Sequence, residues 1–191
     1  MHPQRCTLVV SVAVLALGFN PLVGSAQSPD DFVPVTDAML QNPDPAHWLM
    51  WRRTLDSWGY SPLDQISRDN VDELRLVWSR GLTEGRQQGT PLVYDGVMYM
   101  PNPSDVIQAI DAATGDLVWE HRREVPEDIE DYMFDGLWQN NRNLAIYGEF
   151  IIDTSVDDHV FALDAATGRL AWETEILDYT VNPAMQSSGP I

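Results

Sequence analysis

Apolar and polar side chains alternate with a period of two along several short segments in the middle of the chain, which is the pattern of β-strands. Turns that contain glycine separate neighbouring segments, as they do in β-hairpins. The pattern predicts two sets of four strands, each made of two hairpins. These hairpins occupy Pro91–Met100 with a turn at Asp95-Gly96, 106–120, Leu144–Ile152 with a turn at Gly148, and 159–173.

The second hairpin of each set has nearly the same sequence. The runs VIQAIDAATGDLVWE at 106–120 and HVFALDAATGRLAWE at 159–173 align without a gap, with each position shifted by 53. Repeats of this length occur in propellers and solenoids, and four strands per repeat is typical of a propeller blade. The sequence therefore predicts an all-β protein, a β-propeller of four-stranded antiparallel blades. Trp78, Trp119 and Trp172 are expected to pack between neighbouring blades.

Two further segments extend the pattern on either side. Leu74–Arg80 predicts the last strand of an earlier unit, and Ser188–Ile191 predicts the first strand of the next one. Propellers close with ~4–8 blades, and residues 27–191 provide roughly three blades at this period. We expect this range to be the N-terminal, incomplete part of a larger propeller domain. The alternative is a small or oligomerised propeller whose last blade is completed by another chain.

Residues 1–26 have the layout of a secretory signal peptide. Arg5 precedes an apolar run from Leu8 to Phe19, and small residues lead to Ala26. The run is shorter than the ~20 residues of a membrane-spanning helix. The sequence predicts cleavage after Ala26 and a periplasmic protein without stable membrane insertion. An uncleaved membrane anchor is the alternative.

The charge balance excludes one large class of partners. The chain has 29 acidic residues and 11 basic ones, all of them arginine, and a net charge of −18. Such a charge repels phosphate backbones, so nucleic acid is not expected as a partner. Cys6 is the only cysteine. An intramolecular disulfide and a zinc site built on several cysteines are therefore excluded.

The repeat motif D-A-x-T-G-x-x-x-W, at 111–119 and 164–172, resembles that of the pyrroloquinoline quinone (PQQ) propellers. Non-enzymatic propellers share this motif, among them the lipoprotein propeller of the outer-membrane assembly machinery. The segment 51–78, with WRRT, WGYSPL and ISRDNV, is more specific, as is QGTPLVYDGVMY at 88–99. Both resemble the opening of the methanol/ethanol family of quinoprotein alcohol dehydrogenases.

This resemblance implies an eight-bladed propeller that oxidises alcohols with PQQ and passes the electrons to a periplasmic cytochrome c. It also implies a Ca²⁺ or lanthanide ion that polarises the quinone, with the metal ligands and the catalytic base beyond residue 191. The chain covers about the first third of such an enzyme and is expected to be inactive alone. The alternatives are a non-catalytic scaffold propeller and a carbohydrate-binding repeat protein that uses Trp58 and Trp138.

Three residues are candidates for binding PQQ. The quinone is a planar tricarboxylate, which calls for guanidinium and hydroxyl donors at its edge. Arg142 and Thr154 flank a predicted strand pair, so they are expected at one end of a blade, and the resemblance matches them to an arginine and a threonine of the family. Gln88 stands where many members have glutamate. The alternatives are a surface arginine paired with a carboxylate and a loop hydroxyl bonded to its own backbone.

One family feature is missing. Many members carry adjacent cysteines, joined as a vicinal disulfide over the quinone, before the arginine that Arg142 matches. Here the stretch at 135–141 has no cysteine. Trp138 is a candidate for a flat cover in their place, and the alternative is a tryptophan that fills a gap between blades.

Overall fold

The computed structural model describes residues 31–132 and 140–181, which include two four-stranded antiparallel sheets. The strands of each sheet are hydrogen-bonded in chain order, so both sheets are meanders. The first sheet comprises β1 (Leu92–Tyr94), β2 (Val97–Asn102), β3 (Val106–Asp111) and β4 (Leu117–Arg122), and the second comprises β5 (Ala145–Tyr147), β6 (Phe150–Thr154), β7 (His159–Asp164) and β8 (Leu170–Glu175). The predicted four-stranded antiparallel blades are confirmed.

Within residues 31–132 and 140–181, three short helices lie outside the sheets. They are α1 (Asp37–Gln41), a 3-10 helix at Val71–Glu73, and α2 (Ile129–Tyr132). The Thr36 side chain caps α1 by accepting a hydrogen bond from the Met39 amide. Among the helices of the described ranges, none has the length and apolar character needed to cross a bilayer.

The two sheets are copies of one unit. Leu92 pairs with Tyr99 in the first sheet, and Ala145 pairs with Ile152 in the second, so the register repeats with the same shift of 53. The β3–β4 pairing is irregular after Ala109, and the β7–β8 pairing is irregular at the equivalent position. The sequence repeat is therefore a repeat of structure, including its irregularity.

The D-A-x-T-G motif forms the turn between the third and fourth strands of each sheet. Asp111 Oδ1 accepts hydrogen bonds from the amides of Ala113 and Thr114, both at 2.9 Å. Asp164 Oδ1 accepts one from the Thr167 amide. Gly115 and Gly168 close the two turns with φ of 78° and 71°. A side chain is unfavourable at such a φ, which explains the glycine at this position.

Each of these turns receives a tryptophan from the preceding repeat. Trp78 Nε1 donates to the Ala112 carbonyl at 3.1 Å, and Trp119 Nε1 donates to the Ala165 carbonyl at 3.0 Å. The indole rings lie so close to Gly115 and Gly168 that an added Cβ would come within 2.6 Å and 2.5 Å of ring atoms. Docking between repeats is thus confirmed for Trp78 and Trp119.

The prediction of a strand at Leu74–Arg80 is wrong for this structure. The segment has no strand conformation, and Leu74, Leu76 and Val77 are exposed. A strand needs a hydrogen-bonded neighbour, and within residues 31–132 and 140–181 no strand pairs with this segment. Its C-terminal part contacts the first docking turn through Trp78 and through Arg80 Nη1, which donates to the Gly115 carbonyl at 3.3 Å.

The core lies between the two sheets. Apolar side chains from both sheets fill it, and Tyr99 joins them through a hydrogen bond from its hydroxyl to the Ala165 carbonyl at 3.2 Å. The N-terminal segment adds bridges from Val35 to Gly148 and from Trp48 to Val93. The main cluster consists of Val35, Leu49, Leu92, Tyr94, Val97, Tyr99, Ile107, Ala109, Trp119, Leu144, Ile146, Ile151, Phe161, Leu163 and Ala165.

Some predictions fall on residues outside the described ranges. These are the signal peptide at 1–26, the strand at Ser188–Ile191 and the role of Trp138. They stay predictions.

Candidate functional site

The predicted site residues lie at one end of the two sheets. We call it the entry end, and it comprises the residues before β1 and β5 together with the β2–β3 and β6–β7 turns, at 103–105 and 155–158. The docking turns of the D-A-x-T-G motifs lie at the opposite end. Antiparallel pairing in chain order places the start of the first strand and the end of the second at the same edge. The sequence therefore gathers Gln88, Arg142 and Thr154 at the entry end.

Arg142 and Gln88 are in direct contact, although 54 positions separate them in the chain. Arg142 Nε donates a hydrogen bond to Gln88 Oε1 at 2.7 Å. The Thr90 amide donates to the Arg142 carbonyl, also at 2.7 Å. The guanidinium and the backbone of Arg142 are therefore both fixed by the segment that leads into the first sheet.

Thr154 is the last residue of β6. Its Oγ1 is buried and has no hydrogen-bond partner among the residues that the structure describes. The alternative of a hydroxyl bonded to its own backbone does not hold. Extending the pairing of Ala145 with Ile152 by two residues places Asn143 opposite Thr154. Arg142 and Thr154 therefore lie at the same end of the sheet. Thr154 Oγ1 makes no hydrogen bond to Arg142 or Gln88.

A buried polar pair that sequence reasoning missed lies directly beside these residues. Asn141 Nδ2 donates to Asp153 Oδ2 at 2.5 Å, and the Thr154 amide donates to Asp153 Oδ1 at 2.8 Å. Asp153 is fully buried, and this burial, together with the charge of Asp105, raises the pKa of Asp153 well above its ordinary value. The available signal was a carboxylate in a strand at a position where the first repeat has Met100.

Arg123 links the two sheets at the entry end. Its side chain is 9% exposed, and its Nη1 donates to Ser155 Oγ and to Asp157 Oδ1, both at 2.8 Å. Its Nη2 donates to Glu173 Oε1 at 2.6 Å. One buried guanidinium at the end of the first sheet thus holds three acceptors of the second.

Asp105 completes this cluster from the β2–β3 turn. It is buried, and its Oδ2 accepts a hydrogen bond from Ser155 Oγ. Burial raises the pKa of Asp105 to about 6, against the hydrogen bond from Ser155 and the charge of Arg123, which both lower it. Asp105 and Asp153 are therefore two of the buried carboxyl groups at the entry end.

No set of three histidine or acidic side chains that fits a metal ion is found within the described ranges. Trp58, proposed above for carbohydrate stacking, is exposed and lines an open cavity near Arg53 and Tyr60. Trp138, its suggested companion, lies outside the described residues.

Comparison with known proteins gives a consistent result. The profile of the PQQ family described as the glucose/ethanol/alcohol dehydrogenase β-propeller domain matches residues 48–173. The dehydrogenase subunit of alcohol dehydrogenase (quinone) from Gluconacetobacter polyoxogenes is 41% identical over 135 residues, 70% of this chain and 18% of that protein. The 1-butanol dehydrogenase (cytochrome c) of Thauera butanivorans is 40% identical over 62% of this chain and 17% of that protein.

A solved structure agrees with the family match. The europium-containing methanol dehydrogenase superposes with a TM-score of 0.64 at 28% identity, over 75% of this chain and 25% of that chain. The chain spans about a fifth of the length of the two curated relatives above.

Proposed function

Because the chain belongs to the PQQ family of glucose/ethanol/alcohol dehydrogenase β-propeller domains, we propose that it is part of a periplasmic quinoprotein dehydrogenase that oxidises alcohols. PQQ is the proposed cofactor, with Ca²⁺ or a lanthanide ion, and a cytochrome c is the proposed electron acceptor. The observation that carries the proposal is the Arg142–Gln88 contact beside the Thr154 hydroxyl, which has no hydrogen-bond partner among the described residues. The names of the relatives, one of them linked to cytochrome c and one containing europium, support the partners.

The residues at the entry end fit the chemistry of PQQ. A tricarboxylate binds best to guanidinium groups and to hydroxyl or amide donors, because these form charge-assisted hydrogen bonds with it. Arg142 supplies a guanidinium, and Thr154 supplies a buried hydroxyl that has no protein partner among the described residues. Gln88 supplies an amide. When bound, the quinone supplies the acceptor for the hydride of the alcohol.

The three residues have different tasks in this proposal. Arg142 binds a carboxylate of the cofactor, and Gln88 orients the guanidinium by accepting the hydrogen bond from its Nε at 2.7 Å. Thr154 donates its hydroxyl from the end of β6. Glutamine carries no charge, so the hydrogen bond from Gln88 orients Arg142 without neutralising it.

Replacing Arg142 by alanine is expected to weaken PQQ binding about ten- to a hundredfold, because a charge-assisted hydrogen bond contributes ~1.5–3 kcal/mol. The measurement is equilibrium titration of the full-length protein with PQQ in the presence of Ca²⁺. Arg169→Ala is the matched control, since Arg169 follows Gly168 in the docking turn at the opposite end. An unchanged affinity in Arg142→Ala would contradict the assignment of this residue.

Gln88→Glu tests the departure from the family at the same site. If Gln88 replaces a single hydrogen bond, the glutamate variant binds PQQ at least as well as the parent, because a carboxylate also accepts from Arg142 Nε. If the parent protein binds no quinone at any metal concentration, the enzyme proposal fails, and a non-catalytic scaffold propeller takes its place.

Export to the periplasm gives a second prediction. Arg5, the apolar run from Leu8 to Phe19 and the small residues before Gln27 are expected to direct secretion and cleavage after Ala26. N-terminal sequencing of protein from the periplasmic fraction should therefore begin at Gln27. Leu15→Arg interrupts the apolar run, so this variant should accumulate as uncleaved precursor in the cytoplasm. Parent protein recovered from the cytoplasm with Met1 at its start would refute the prediction.

A further inference from the structure

The carboxyl group of Asp153 has no counterpart in the first sheet. At the shift of 53, the equivalent residue is Met100, which pairs with Gln108 as Asp153 pairs with Phe161. Both sheets have the same register and the same irregularity. The first sheet forms with a half-buried methionine at this position, so the strand pairing of the blade does not require a carboxyl group there.

Burying this group is unfavourable unless hydrogen bonds compensate. Two are present, one from Asn141 Nδ2 at 2.5 Å and one from the Thr154 amide at 2.8 Å. One donor precedes Arg142 in the chain, and the other is the backbone of Thr154 itself. Asp153 thus joins the segment that carries the candidate arginine to the strand that carries the candidate hydroxyl.

The position of Arg142 is then fixed from both sheets. Asn141, the residue before Arg142, is buried and bonds to Asp153 in β6. From the first sheet, Gln88 holds the Arg142 side chain and the Thr90 amide holds its carbonyl. In the first repeat, the position of Asn141 is occupied by Gln88, which bonds across to Arg142 instead. The two repeats therefore use equivalent positions differently, and both uses act on Arg142.

We propose that Asp153 is a positioning residue of the PQQ site, which acts through Asn141 to hold Arg142 at a fixed distance from Thr154. This inference rests on the proposed function. Asp153 itself does not touch the cofactor. Its contribution is to pre-organise two groups that bind the cofactor, so that binding does not have to order them.

Asp153→Met tests the proposal, because methionine is the residue that the equivalent position of the first sheet accepts. The full-length protein is titrated with PQQ in the presence of Ca²⁺, and the thermal unfolding of the cofactor-free protein is followed in parallel. The variant is expected to stay folded and to bind PQQ at least tenfold more weakly. Parent-like affinity in the folded variant would overturn the proposal.

Two further variants keep the test decisive if Asp153→Met does not fold. Asn141→Ala removes the same hydrogen bond from the other side and is expected to weaken PQQ binding by a similar factor. The double exchange Asp153→Asn with Asn141→Asp keeps an acceptor for the Thr154 amide and restores the side-chain pair with its roles reversed. It is expected to recover most of the affinity that Asn141→Ala loses, whereas a purely structural role would change the melting temperature and leave the affinity unchanged.

The outcomes separate this inference from the proposed function. If the parent protein binds PQQ and Asn141→Ala binds it equally well, only the positioning role is overturned. If the parent protein binds no PQQ, the proposed function fails, and the positioning role fails with it.

Discussion

Replacing Trp119 by alanine is expected to lower the free energy of unfolding by about 3–5 kcal/mol. The indole is 8% exposed, donates to the Ala165 carbonyl at 3.0 Å and covers Gly168. Truncation leaves a cavity between the sheets and removes one of the two hydrogen bonds that the Ala165 carbonyl accepts, the other coming from the Tyr99 hydroxyl. Equilibrium unfolding in denaturant, with the midpoint and slope fitted separately, measures the loss. Trp58→Ala is the control, since Trp58 is 76% exposed and its truncation should change stability by less than about 0.5 kcal/mol.

The glycine on the other side of this contact gives an independent check. Gly168 and Gly96 have φ of 71° and 77°, so alanine is strained by ~1–2 kcal/mol at either position. A Cβ at Gly96 meets no atom within 4 Å, whereas a Cβ at Gly168 lies 2.5 Å from the ring of Trp119. Gly168→Ala should therefore cost ~1–3 kcal/mol more than Gly96→Ala. Equal losses for the two variants would contradict the close docking of Trp119.

Replacing Arg123 by methionine is expected to cost about 3–5 kcal/mol, because it leaves buried acceptors without their cationic partner. Asp157 is 5% exposed at its side chain and lies near the buried carboxyl of Asp105. Without Arg123, Asp157 and the Ser155 hydroxyl lose their hydrogen bonds to Nη1, and Glu173 loses its bond to Nη2. Denaturant unfolding at neutral pH is the measurement.

The adjacent arginine provides the control for Arg123. Arg122 is 59% exposed and pairs with Glu120 within the same sheet, so Arg122→Met should cost no more than about 1 kcal/mol. Similar losses for the two variants would show that Arg123 does not join the sheets energetically. A loss in Arg123→Met that high salt removes would point to surface electrostatics instead, because salt screens exposed pairs far more than buried ones.

The sheets could be predicted from the sequence because their signals are local. Alternation of side chains gives the strands, and the motifs at Asp111 and Asp164 give turns that the structure confirms. The repeat adds the docking of Trp119, since one motif carries both the turn and the indole that packs on the next turn. The resemblance to quinoprotein alcohol dehydrogenases is likewise confirmed by the family profile at 48–173.

Contacts between distant segments could not be predicted in the same way. Leu74–Arg80 has a strand pattern, but pairing depends on a neighbour that the segment's own sequence does not specify. The contact of Gln88 with Arg142 depends on how two repeats are placed side by side. The buried Asp153 was missed because an acidic residue in a strand suggests exposure, and only its pairing with Asn141 makes burial tolerable.

The tryptophan contacts between repeats have a direction along the chain. Trp78 precedes its acceptor by 34 residues, and Trp119 precedes its acceptor by 46. A chain that emerges N-terminus first, from the ribosome or across a membrane, therefore cannot seal one blade until the turn of the following blade has appeared. Blades mature one after another, and the newest blade is the one whose indole is still exposed to solvent.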